Sequence, residues 1–77
     1  MMDYTYNRTW EDIHALLDEA ERTKNQHKTA TFNERLSTKQ RAQHMRDYKG
    51  LQGVVYSLRW VLGDPNTSRK KVITGEE

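Results

Sequence analysis

The sequence predicts an all-α fold: an antiparallel helical hairpin with one long second helix, completed by oligomerisation into a helix bundle. Three observations carry this expectation. Between Ser37 and Gly63, apolar residues recur at alternating steps of three and four, the spacing that lines up side chains on one face of an α-helix. A shorter stripe of the same period precedes it, formed by Trp10, Ile13, Leu16, Leu17 and Ala20. The third observation is a shortage. The chain has 77 residues, is 34% hydrophobic and contains no cysteine, and its mean hydropathy is −1.10. So small a domain buries only a modest fraction of its surface, and no disulfide can compensate, which leaves self-association as the usual remedy.

Taken in order, residues 1–8 (MMDYTYNR) show no period and read as a short arm. The hairpin domain spans 9–63. Its first helix is expected over about 9–27, with Thr9 as N-cap and Glu11 and Asp12 in the first turn, where the helix dipole favours acids. Residues 28–36 (KTATFNERL) break the period and read as a loop, with Phe32 and Leu36 as apolar anchors and a possible turn near Asn33–Leu36. The second helix is expected over about 37–63. Ser37 and Gln40 have the form of a capping box, while Gly63 followed by Pro65 is a stop signal. Tyr48, Leu51, Val55, Leu58 and Leu62 form its core or oligomer face, widened by Val54 and Val61. Residues 64–77 read as a polar, partly disordered tail, within which Lys70–Ile73 offers a short strand or a docking segment.

The second helix predicts about 37 Å of length against about 27 Å for the first. One short helix covers only part of one face of a longer one, so the uncovered apolar surface is expected to meet another copy. A dimer forming a four-helix bundle is the simplest closure.

The second helix has another, odder face. Arg46, Gly50, Gly53, Ser57 and Trp60 fall close together at 100° per residue, flanked by Met45, Lys49 and Tyr56. Glycine in a helix interior costs about 1 kcal/mol relative to alanine, so close approach by another backbone or a ligand is expected there. One reading is a helix crossing over small residues. The other is a shallow ligand site formed by Arg46, Lys49, Gly50, Gly53, Tyr56 and Trp60, suited to a nucleotide. Free amides at the start of the second helix, with Ser37, Thr38 and Lys39, suggest an anion site, which Arg69, Lys70 and Lys71 from the tail would close.

Net charge is +2, from 13 basic and 11 acidic residues. That balance does not announce a nucleic-acid binder, although residues 11–21 carry five acids and no base, with the bases concentrated later. No apolar run reaches membrane-spanning length and the first residues lack a signal-peptide core, so a cytoplasmic protein without membrane contact is expected. His14, His27 and His44 form no HxxxH or HExxH pattern, and Ser37, Ser57 and Ser68 lie in no nucleophile-elbow context. No catalytic residue, metal or cofactor is expected. A helix-turn-helix reading fails because the loop is too long and the second helix too extended.

The arm, the amphipathic helix, the long helix ending LQGVVYSLRWVLGDP and the polar tail together resemble small accessory proteins of bacteriophages, chiefly over residues 44–63. The resemblance implies a compact helical oligomer with an anti-defence or host-modulating role in the host cytoplasm. Such a protein sequesters a host protein or a small nucleotide signal stoichiometrically. Applied here, a sponge role would fall to Arg46, Lys49, Tyr56 and Trp60. The alternatives are a small nucleic-acid-binding regulator, using the basic tail and the start of the second helix, and a structural assembly protein.

Overall fold

The computed structural model describes residues 8–75. All of the expected arm but Arg8, and the last two residues of the expected tail, lie outside the described residues. The described chain is helical: α1 spans Trp10–Ala30, α2 Thr38–Val61 and α3 Arg69–Thr74.

α1 starts as its sequence dictates. The Thr9 hydroxyl accepts from the Asp12 amide at 3.1 Å, and the Asp12 carboxylate accepts from the Thr9 amide at 3.0 Å. This reciprocal box satisfies two of the donors that a helix start leaves orphaned. The helix runs three residues past the expected end at 27. Its last turn lies against the start of α2, where His27 meets His44, and that tertiary contact outweighs the weak helix propensity of Thr29. The Thr31 amide then caps the His27 and Lys28 carbonyls at 3.1 and 3.2 Å.

α2 follows after a turn closed by the Leu36 amide on the Asn33 carbonyl at 3.1 Å. The Ser37–Gln40 box is present in both directions, at 3.1 and 2.9 Å. At the far end, Gly63 takes φ +85°, its amide bonds the Trp60 carbonyl, and the Asp64 amide bonds that of Arg59, both at 3.0 Å. That pair of bonds is a Schellman motif, and it needs the left-handed conformation glycine adopts without strain.

α1 and α2 pack antiparallel, tied by Arg59 donating to Glu21 at 2.9 Å. Val55, at the centre of the expected core face, is fully buried, while Tyr48, Leu51, Leu58 and Leu62 are half-buried. The α1 stripe is less well covered than its spacing suggests: Ala20 is buried, but Trp10 and Leu16 are 62% and 50% exposed. Phe32, expected to pin the loop, is 75% exposed.

The segment expected to be a polar, partly disordered tail instead folds back as α3. Asp64 nucleates the return. Its carboxylate accepts from the Asn66 amide and the Thr67 hydroxyl, each at 2.9 Å, and Thr67 is itself buried. Ser68 then caps α3 through the Lys71 amide at 3.1 Å, and Gly75 ends it at φ +70°. α3 packs on α2, and the Lys71 ammonium stands 5.6 Å from the Tyr56 ring centre.

Candidate functional site

α2 is the shared element of the molecule, and its sides have different fates. One side meets α1 and a second lies under α3. A third points away from both: Arg46, Lys49 and Gly50 are exposed and Gly53 is half-buried. On the same side Val54 and Val61 are 39% and 46% exposed. A Cβ built at Gly50 or Gly53 meets nothing within 4 Å. Within a single chain, then, a methyl added at either glycine would meet open space.

Tyr56 does not belong to this outward side. It is 3% exposed, accepts a hydrogen bond from the Gln52 amide at 2.9 Å, and carries Lys71 over its ring. Placing it with the glycines required α2 to be bare on that flank, whereas α3 covers it. Of the six expected ligand residues, Arg46, Lys49, Gly50 and Gly53 therefore share this surface, whereas Tyr56 and Trp60 lie toward α3. Trp60 has a different companion: it shares an apolar groove with Arg69, Val72 and the 83% exposed Ile73.

The expected anion site is also divided. Ser37 spends its hydroxyl on the capping box, with Thr38 and Lys39 exposed beside it. Arg69, Lys70 and Lys71 sit on α3, which leans on Tyr56, eighteen positions along α2 from Thr38. At 1.5 Å per residue that is about 27 Å. The two basic groups serve opposite ends of the helix and do not close over a common ligand.

One constellation has no counterpart in the sequence motifs. His27 and His44, seventeen residues apart, face each other with their Nδ1 atoms 2.9 Å apart. The only available signal was the hairpin itself, which folds α1's last turn onto α2's second. Among the described residues, no third His, Cys, Asp or Glu completes a metal-binding group with them. Close by, the Arg41 Nε is buried without a hydrogen-bond partner, and Lys24 lies 5.9 Å from the Tyr48 ring centre. Elsewhere, the Asp64 carboxyl is held below the usual carboxylate value. The main cause is the Asn66 amide bond, helped by the Thr67 hydroxyl and the charges of Arg59 and Lys71.

Among the described residues no helix is long and apolar enough to cross a membrane. No family model, curated protein or solved structure matches the chain.

Proposed function

We propose that the protein is a non-enzymatic, homo-oligomeric binding protein that acts by stoichiometric occupancy of a macromolecular partner. The observation that carries this reading is the outward side of α2, where Val54 and Val61 lie exposed beside two glycines at which an added methyl would meet open space. Exposed apolar side chains grouped around a close-approach surface mark an interface, and a second copy is the first occupant to consider. Small residues let two helices cross closely. An antiparallel crossing would set the basic half, Arg46 and Lys49, against the apolar half of the partner helix, so like charges need not meet.

Sequestration of a host protein is the mode of action implied by the resemblance to small bacteriophage accessory proteins. The sponge alternative, capture of a small nucleotide, has less support. Tyr56 is committed to α3, and the remaining residues offer an open surface to a ligand that would need walls.

Native mass spectrometry of the purified protein tests the reading, together with Gly53→Leu. The variant is expected to leave the helical hairpin intact, because a Cβ added at Gly53 meets nothing within 4 Å. The expected result is an even-numbered oligomer for the parent chain, with no mass beyond protein, and monomer for the variant. An unchanged oligomer in the variant overturns the role of this surface. An extra few hundred daltons per site would favour a nucleotide ligand instead.

A further inference from the structure

The contact between His27 and His44 has a geometry that restricts what it can hold. The two Nδ1 atoms are 2.9 Å apart, while the ring centroids are 5.1 Å apart with planes tilted by 41°. The centroids are farther apart than the nitrogens by nearly the sum of two ring radii, so the imidazoles point at each other along one line. That is the arrangement of an N–H···N hydrogen bond. A metal ion on the same line would need about 2.0–2.1 Å to each nitrogen and so about 4 Å between them. The observed spacing fits a proton.

Such a bond works only if one Nδ1 carries hydrogen and the other a lone pair. With both rings neutral, one adopts the Nδ1–H tautomer and the other the Nε2–H tautomer. One added proton is accommodated and strengthens the bond by placing charge on the donor. A second added proton puts hydrogen on both facing nitrogens, and a 2.9 Å contact cannot survive two donors and two positive charges. The surroundings give that second charge little help. One turn from the rings on their own helices stand the cations Lys24 and Arg41, with Lys28 adjacent to His27. Tyr48, one turn beyond His44, is occupied by Lys24. Asp47, the one acid within a turn of either ring, already accepts a hydrogen bond from Gln43 at 3.1 Å.

We propose that His27 and His44 form a proton-counting joint between α1 and α2, closed when the pair holds no added proton or one, and open when it holds two. The linkage sign follows. Unfolded, both imidazoles charge freely below a pH of about 6.5, whereas the closed joint takes at most one added proton. The unfolded chain therefore binds more protons in acid, and stability falls as pH drops. The fall is capped by the worth of the bond itself, about three- to tenfold in the folding constant, after which the rings swing apart. The joint borders the cleft lined by Lys28, Thr31, Phe32, Met45 and Tyr48, so opening it reshapes the exposed apolar end of the hairpin.

Denaturant unfolding of the full chain at one fixed protein concentration, at pH 7.5 and pH 5.0, tests this against His44→Gln and His27→Gln. The parent should lose about three- to tenfold more of its folding constant between the two pH values than either variant does. Equal losses overturn the joint. A second measurement needs no variant to fold. In ¹⁵N-labelled protein, a scalar coupling between the two Nδ1 nuclei across the hydrogen bond should be present at pH 7.5 and absent at pH 5.0. Coupling absent at both values, or persisting at pH 5.0, overturns the proposal.

Discussion

Asp64 shows how much one carboxylate organises here. It accepts from the Asn66 amide and the Thr67 hydroxyl, and these bonds favour its charged form and lower its pKa. A carboxyl whose folded value is lowered stabilises above its unfolded value, about 3.9, and loses that contribution as pH falls through the folded one. The turn carrying α3 should therefore loosen below a pH of about 4. Amide protection in residues 67–74, taken relative to the intrinsic exchange rate at each pH, should fall in the parent chain between pH 4.5 and 2.5. In Asp64→Ala it should already be low at pH 4.5. Equal protection of the two chains at pH 4.5 would show that the turn does not depend on this residue. Gly63 and Pro65 announced the stop of α2 in the sequence, but not that Asp64 turns the chain back onto it.

Among the elements, α3 depends on a single neighbour more than α1 or α2 do. Six residues are too few to be helical alone, so α3 persists because Tyr56 and the Asp64 turn receive it. Tyr56→Ala removes a side chain that is 3% exposed. Core truncations of large aromatics cost about 3–5 kcal/mol. The expected outcome is lower stability in denaturant unfolding, with selective loss of α3 helicity read from Cα chemical shifts. A change confined to Tyr56's own environment would mean α3 holds without it. The element boundaries divide along a physical line. Both expected N-caps, Thr9 and Ser37, are found, as is the Gly63 stop, because caps are short-range chemistry between residues three to five apart. The end of α1 was misplaced because it is fixed by α2, across the hairpin.

For the molecule as a whole, the decisive fact is a small core. Among the described residues the buried apolar side chains are Ala20, Val55 and Tyr56, and Trp10, Leu16, Phe32, Trp60, Val61 and Ile73 remain in contact with solvent. If a second copy covers α2, the glycines should show opposite signs in two assays. Gly50→Ala with Gly53→Ala relieves a helix-propensity cost of about 1 kcal/mol per site within one chain, where the added methyls meet nothing. At a close helix crossing the same methyls push two backbones apart. The double variant should therefore dissociate at higher protein concentration in sedimentation while its monomer unfolds at higher denaturant. Gains in both assays would place the interface on another side of the molecule.

The sequence by itself determined the all-helical class, the two long helices, their N-caps, the Gly63 stop and the side of α2 that turns inward around Val55. Each of these rests on residues within a turn or two of one another, so local periodicity and capping chemistry suffice. Only the tertiary structure decided that Tyr56 lies beneath α3, that the basic segments serve opposite ends of α2, and that His27 meets His44. Those outcomes depend on where the chain folds back. A fold-back juxtaposes residues fifteen or more positions apart, a separation over which no local pattern in the chain specifies the partner.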